Sequence, residues 1–306
     1  MNAPGGATPR AAMIAVVGST NVGKSTLVNA LVKEKVSIVS PIVQTTRTLV
    51  RAIWTEPRGQ LVFLDTPGTH AARYELGRAM NRTARGAVEG VDIILLVLDV
   101  SRPPRLEDEG WLRKLCRPEQ EATLLWACNK VDRHHTHEAD YTACWARLHQ
   151  GPAQPRNVTS HRVSGLTGAG IDGLRDALFA AAPTGPPLFP PDLLTDYPRK
   201  LALADIVREK YAPHLKDELP HALAVWIETI EETAKGWTIN GIIYVSRHSQ
   251  KGIVLGRQGR LLKKVVHAAE KEMATTYDQP VKLKLWVKAE KEWMRNFWML
   301  KKLGYV

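Results

Sequence analysis

Cysteine is scarce in this chain: Cys116, Cys128 and Cys144 are the three in 306 residues. Their number is odd and their spacing is not that of a metal site, which excludes a disulfide framework and a zinc module and points to a reducing compartment. Cys128 closes the apolar run from Ala122 and reads as core. Long apolar runs are also missing. Stretches such as Val91–Leu98 are strand-length and too short to cross a bilayer. No signal peptide stands at the start, where residues 1–10 are short, rich in Pro and Gly, and expected to be flexible. No internal repeat is visible. These absences lead to the expectation of a soluble, cytoplasmic protein. Acidic residues are in deficit as well, 31 against 42 Lys and Arg, which leaves a formal charge of +11. Such a surplus asks for a polyanion, either nucleic acid or an acidic membrane surface. Residues 251–306 hold 13 basic and 5 acidic residues, a local excess of 8. That concentration favours a binding surface over an ordinary solvated face.

What is present divides in two. Five prolines lie within the nine residues 183–191, and proline continues neither a helix nor a central strand. Residues 183–197 are therefore read as a stiff linker between domains at 11–182 and 198–306. Before it, short runs rich in Val, Ile and Leu (Met13–Val17, Leu61–Leu64, Val91–Val100, Leu124–Cys128) alternate with helical stretches at Lys24–Val32, Ala72–Val88, Glu107–Leu115, Ala139–Leu148 and Gly170–Ala181. Runs of that kind suit strands buried on both faces of a mostly parallel sheet, so the expected fold is α/β with helices on both faces. After it, a helix (Pro198–Tyr211) precedes two alternating strands near His221–Glu231 and Trp237–Ser246. A glycine-bounded turn, a helix through Ala274, a strand Val281–Val287 and a last helix from about Glu290 complete an α+β domain with one small sheet.

The chemistry begins directly after the first apolar run. Gly18-Ser19-Thr20-Asn21-Val22-Gly23-Lys24-Ser25-Thr26 fits G-x-x-x-x-G-K-[ST]. In such a loop the glycines let backbone N–H groups turn inward around a β-phosphate, and the following helix adds its positive end. Lys24 would reach the β- and γ-phosphates, and the Ser25 hydroxyl would ligate Mg²⁺. Asn129-Lys130-Val131-Asp132 names the base. It follows an apolar strand, at the sheet end where ligands bind in open α/β folds. The Asp132 carboxylate suits guanine N1 and the 2-amino group, and left unpaired it would reject adenine. Lys130 would lie along the base, and Asn129 would tie this loop to the phosphate loop. Asp65-Thr66-Pro67-Gly68 ends another strand: Asp65 would hold a Mg²⁺-bound water and the Gly68 N–H would meet the γ-phosphate. Within Gln44-Thr45-Thr46-Arg47-Thr48, Thr46 is preferred over Thr45 as a hydroxyl that caps Mg²⁺ while the γ-phosphate is present. Ser164-Gly165-Leu166 offers backbone N–H groups to guanine O6. Lys24, Thr46 and Gly68 are the candidates for the catalytic work. His134, His135 and His137 invite a metal reading, but with no fourth ligand they read as a solvated loop.

These elements stand in the order of the small GTP-binding proteins. The N-V-G-K-S-T loop and the T-T-R stretch resemble the Era family. Beyond the linker, Ile239-Asn240-Gly241, Gly256-Arg257-Gln258-Gly259, Leu285-Trp286-Val287-Lys288 and Leu303-Gly304-Tyr305-Val306 also resemble that family's C-terminal K-homology domain. The resemblance implies a Mg²⁺-dependent GTPase that takes GTP and GDP, binds the 3′ end of small-subunit ribosomal RNA, assists assembly of the small ribosomal subunit, and acts as a monomer. A peripheral association with the cytoplasmic membrane surface stays open alongside. Two departures stand out. Ser164-Gly165 replaces the usual Ser-Ala, with looser affinity expected. Thr69, grouped with the nucleotide contacts, follows Gly68 where many GTPases carry a catalytic Gln, so slow intrinsic hydrolysis is expected. Relatives with an Asn at the place of Asn21 use K⁺, which makes Asn21 a candidate K⁺ ligand.

The turn Gly256-Arg257-Gln258-Gly259, followed by Arg260-Leu261-Leu262-Lys263-Lys264, has the form of a K-homology G-x-x-G clamp, where the RNA backbone comes close. Lys251, Arg257, Arg260, Lys263 and Lys264 are the expected phosphate contacts, and Ile253 and Val254 the expected lining of a base groove. Trp286 is expected in the core, while Trp293 and Trp298 stay open between core and base stacking. Two other classes remain beside the RNA switch: a scaffold in which GTP is only a structural ligand, and a membrane-surface GTPase using the basic tail.

Overall fold

The computed structural model describes residues 8–39, 46–68, 74–116, 121–148 and 158–306. Gln44, Thr45, Thr69 and Ala72 lie outside them. By contacts the chain forms two compact units; the first holds most of residues 8–196, and Tyr197–Val306 make the bulk of the second.

The first unit is a six-stranded sheet of β1 (Arg10–Val17), β2 (Val50–Glu56), β3 (Gly59–Asp65), β4 (Ile93–Asp99), β5 (Thr123–Asn129) and β6 (Thr159–Val163), in the order β2-β3-β1-β4-β5-β6. Strands β3, β1, β4, β5 and β6 run parallel, and β2 joins β3 antiparallel at the edge. Every residue of β3 and β4 is buried, as continuous apolar runs require when helices cover both sheet faces. The helices are α1 (Lys24–Val32), α2 (Glu75–Gly86), α3 (Leu106–Leu115), α4 (Glu138–Leu148) and α5 (Ile171–Ala181). One core packs α1 and α5 against the sheet through Leu27, Leu31, Leu174 and Leu178. The other packs α3 and α4 through Trp111, Leu112, Tyr141 and Trp145. Strand β2 carried no continuous apolar signal, because Arg51 and Glu56 interrupt a half-covered edge.

Two expectations at the ends of this unit need correction. Arg10, assigned to a flexible N-terminus, opens β1 and donates from Nη1 to the Ala182 carbonyl at 2.7 Å. The proline-rich stretch is laid on the sheet edge. Buried Gln60 accepts from the N–H groups of Leu188 and Phe189 at 2.8 and 2.9 Å, and Ile53 N donates to Leu194 O at 2.8 Å. The residues between the prolines keep their N–H groups, and these dock the segment.

The second unit runs α6 (Arg199–Tyr211), α7 (Leu219–Ala222), β7 (Leu223–Thr233), β8 (Gly236–Val245), α8 (His248–Leu255), α9 (Arg260–Tyr277), β9 (Val281–Ala289) and α10 (Phe297–Lys302). Its sheet is β7-β8-β9, with β7 and β8 antiparallel and β9 parallel to β8. Val207, Ile239, Ile243, Val265 and Met273 meet in its core. This element order and sheet are those of a type II K-homology domain. Three local readings are corrected. Ahead of the Gly256–Gly259 turn stands helix α8, absent from the sequence reading; it forms despite Gly252 because Val254 anchors it in the core and Gln250 Oε1 accepts from Arg247 N at 2.9 Å. The last helix starts at Phe297, where the Asn296 side chain accepts from Trp298 N and Met299 N at 3.0 and 3.3 Å as an N-cap. Trp286 is 51% exposed rather than core. It shares the open face of edge strand β9 with Lys282, Lys284 and Lys288, and period-2 alternation alone does not say which face is covered.

Candidate nucleotide and RNA sites

In the first unit the four sequence motifs all lie at the carboxyl ends of parallel strands: residues 18–26 after β1, 65–68 at the end of β3, 129–132 at the end of β5 and 164–168 after β6. A single side chain staples three of them. Asn129 Nδ2 donates to Val22 O at 2.8 Å, and its Oδ1 accepts from Gly165 N at 3.0 Å. Gly23 makes room for that staple: at φ +98°, a Cβ there would lie 2.4 Å from Asn129 Nδ2. Ser164 Oγ donates to Asp132 Oδ1 at 2.5 Å, holding the base-reading carboxylate beside its loop. Gly165 sits so close to α1 that a Cβ would meet Leu27 N at 3.0 Å. Its departure from alanine is therefore a fitted contact. Leu166 is 80% exposed, and Val131 packs beside the α3–α4 core.

Lys24 is buried, and its ammonium donates to the carbonyls of Gly18 and Ser19 at 3.1 and 2.8 Å. Burial pushes its pKa down to about 8, against the pull of Asp65, Glu107 and Asp108. Ser25 Oγ and Thr46 Oγ1 are 2.9 Å apart. Asp65 is fully buried, and among the described residues neither carboxylate oxygen has a hydrogen-bond partner within bonding geometry. Burial raises its pKa, with the nearby Ser25 hydroxyl, the Lys24 charge and the Ser37 hydroxyl opposing the rise. A buried carboxylate without a partner is costly, and beside two hydroxyls this one has the donor set of a hard oxygen-seeking cation. The residues present fit Mg²⁺. A Cβ on Gly68 would stand 2.8 Å from Thr20 Cγ2 and 3.2 Å from Lys24 Nζ, so that turn closes on the phosphate loop. Thr66 differs from the sequence reading, since its buried hydroxyl donates to Val16 O at 2.8 Å and serves the strand. Pro67 is buried beside it, and Asn21 takes a left-handed φ of 59°. His137 pairs with Asp140 at 2.7 Å, and no group of three or more His, Cys, Asp or Glu able to hold a metal occurs among the described residues.

In the second unit Gly256 and Gly259 both adopt φ +72°, and Gln258 is left-handed at 54°. A Cβ on Gly256 would lie 2.6 Å from that of Leu261, whereas Gly259 has open space around it. Arg257, Gln258, Arg260, Lys263 and Lys264 are exposed, and Lys251 is half-buried. Among the described residues none of these five cations forms an ion pair. Ile253 is 51% exposed beside the turn, but Val254 is fully buried in the core and cannot line a groove. On α8 successive side chains point about 100° apart, so only one of two neighbours faces out. Trp293 is core, donating from Nε1 to Ala222 O at 2.9 Å, and Trp298 is 73% exposed.

A phosphate loop, a guanine-reading loop and a metal-type carboxylate at the carboxyl end of one sheet define a GTP-hydrolysing protein, here followed by a K-homology domain. Comparison with known proteins narrows this. Residues 13–130 match the family described as 50S ribosome-binding GTPase, and residues 218–294 match the KH domain family. GTPase Era of Geotalea uraniireducens is 37% identical over 299 residues, covering 97% of this chain and 98% of the relative. GTPase Era of Rippkaea orientalis is 35% identical over 298 residues, covering 97% and 92%. Two solved structures, each at TM-score 0.88 and 33% identity, cover 97% of this chain and 99% of their own. One is an Aquifex aeolicus Era variant bound to GDP·AlF₄⁻; the other is Era with MgGDPNP and nucleotides 1506–1542 of 16S ribosomal RNA. The chain belongs to the Era GTPase family.

Proposed function

We propose that this chain is a guanine-nucleotide-controlled clamp for the 3′ end of small-subunit ribosomal RNA, acting in assembly of the small ribosomal subunit as a cytoplasmic monomer. The observation that carries the reading is the G-x-x-G turn flanked by five cations that form no ion pair among the described residues, in a chain alike over 97% of its length to an Era solved with such RNA. Backbone N–H groups of Gly18–Thr26 would cradle the phosphates and Lys24 would neutralise them. Asp132 and the 164–166 loop would read guanine. Ser25, Thr46 and, through water, Asp65 would hold Mg²⁺, which when bound draws charge off the phosphate oxygens. Asn21 is proposed as a K⁺ ligand; equal hydrolysis rates in Na⁺ and K⁺ would count against that role. With Thr where a catalytic Gln often stands, hydrolysis without a partner is slow. Arg257, Arg260, Lys251, Lys263 and Lys264 would contact RNA phosphates, with Ile253 against a base.

The test is anisotropy of a labelled single strand matching that 3′ end, against a scrambled strand of equal length. Tighter binding of the matching strand supports the reading. Equal, weak binding of both would leave a GTPase with an unrelated basic domain.

A further inference from the structure

Between the phosphate loop and the base-reading loop runs a closed series of polar groups, of which the Asp99, Arg102 and Asp108 side chains belong to neither motif. It starts at Ser19, whose hydroxyl donates to Asp108 Oδ1. Asp108 stands in the first turn of α3 and is 1% exposed. Its Oδ2 accepts from Arg102 Nη1 at 2.7 Å, from Arg105 N at 2.9 Å and from the Tyr141 hydroxyl at 3.5 Å. Arg102 turns its Nε toward Asp99 Oδ2 at 3.5 Å. The same Asp99 oxygen accepts from Lys130 Nζ at 2.7 Å, and Lys130 Nζ also donates to Asn21 O at 2.7 Å. Ser19 and Asn21 belong to the phosphate loop, so the ring closes. Thr20, between them, donates to Glu107 Oε2 at 3.3 Å.

The charges balance, two carboxylates against a guanidinium and an ammonium, and no side chain among the four is more than 22% exposed. Burial would raise the Asp99 carboxyl, but hydrogen bonds from Lys130 and Ser101, with the charges of Lys130 and Arg102, hold it below the usual carboxylate range. An ion-pair network of this sort can serve only to fasten a helix to a sheet. Two features go further. The ring ends on both nucleotide loops, and it holds residues 19–21 through the Ser19 hydroxyl and the Asn21 carbonyl.

We propose that Arg102 and Asp108 are positioning residues of the nucleotide site. They hold Ser19–Asn21 in the shape that receives phosphates and tie that shape to Lys130 in the base-reading loop. The proposal rests on the nucleotide site assigned above. It concerns the stability of the bound state and not the chemical step, because neither residue belongs to the motifs that would touch GTP.

Dissociation of a fluorescent GDP from the full chain, followed by stopped flow, tests it. Arg102→Met leaves two carboxylates without their bridge and is expected to release GDP about 10- to 100-fold faster, the span of one lost charged hydrogen bond. Arg102→Lys meets one carboxylate without bridging two and is expected at an intermediate rate. Ser19→Ala cuts the ring at the phosphate loop while Asp108 keeps its other partners. It too is expected to speed release, and the double variant to be no faster than the worse single one. The preference for GDP over inosine diphosphate should be unchanged throughout, since Asp132 is untouched. Release within twofold of wild type in Arg102→Met, or effects of Ser19→Ala and Arg102→Met that multiply, would overturn the proposal. Should Arg102→Met not fold, wild-type rates in both Arg102→Lys and Ser19→Ala would overturn it equally. Asp132→Asn, expected to exchange guanine for xanthine preference, tests the underlying site separately; its failure would remove that site and not the clamp alone.

Discussion

Asp65→Asn should make the nucleotide-free, metal-free chain more stable while removing Mg²⁺-dependent hydrolysis. The carboxylate is 0% exposed, neither oxygen has a hydrogen bond of good geometry among the described residues, and its pKa is raised chiefly by burial, against the nearby Ser25 and Ser37 hydroxyls and the Lys24 charge. Leaving a buried polar group unsatisfied costs about 1–3 kcal/mol, more for a charge. Relieving it should raise the first unit's unfolding midpoint by roughly 2–10 °C for a domain this size. The sign with pH follows from the raised pKa. Below the unfolded value of about 4 both states are protonated and the penalty is absent. As pH rises toward the folded pKa, the native state holds the extra proton, and stability falls until the penalty is complete. The gap between variant and wild type should therefore open with rising pH and then level off. Scanning calorimetry at several pH values, with chelator and without nucleotide, reads it directly. Adding GDP and Mg²⁺ should reverse the order, because the wild-type carboxylate then has a cation to serve. A variant less stable than wild type in chelator, or a gap that ignores pH, would show that the Asp65 carboxylate carries no burial penalty.

Three further outcomes are expected. Gly165→Ala forces a Cβ to 3.0 Å from Leu27 N, so the 164–166 loop must shift by tenths of an ångström; GDP affinity by calorimetry should fall by about 3- to 10-fold. The Lys24 ammonium, with a pKa pushed down to about 8, must be charged to serve a phosphate, so GDP affinity should decline as pH rises above about 8, and Lys24→Met should remove that slope. Gly259→Asp meets open space at a φ that Asp tolerates, so the fold should persist while RNA binding drops by at least about tenfold from the added negative charge. Gly256→Asp, driven into Leu261, should unfold the second unit instead.

The nucleotide site was legible because its motifs are local: Gly18–Thr26 and Asn129–Asp132 carry their meaning in spacing, and each follows an apolar run that could only be a buried strand. What escaped the sequence depends on neighbours far along the chain. Asp99, Arg102 and Asp108 are ordinary charged residues until the fold brings them around Ser19 and Lys130. Thr66 sits inside a nucleotide motif yet is used by Val16. Ile253 and Val254 read alike as apolar neighbours, and only the rotation of α8 separates a surface residue from a core one. The prolines of 183–191 signalled a break, but not the Gln60 side chain that receives the segment.

Nucleotide and RNA are expected to act through one another. Affinity of the full chain for the 3′-end strand should be measured with a non-hydrolysable GTP analogue and with GDP, at several salt concentrations. Tighter binding with the analogue is expected, with a logarithmic salt slope of up to about −3.5 from five phosphate contacts at about 0.7 each on a single strand, and loss of both in Gly259→Asp. Equal affinity in the two nucleotide states would contradict it, leaving a GTPase and an RNA clamp that share a chain without a switch.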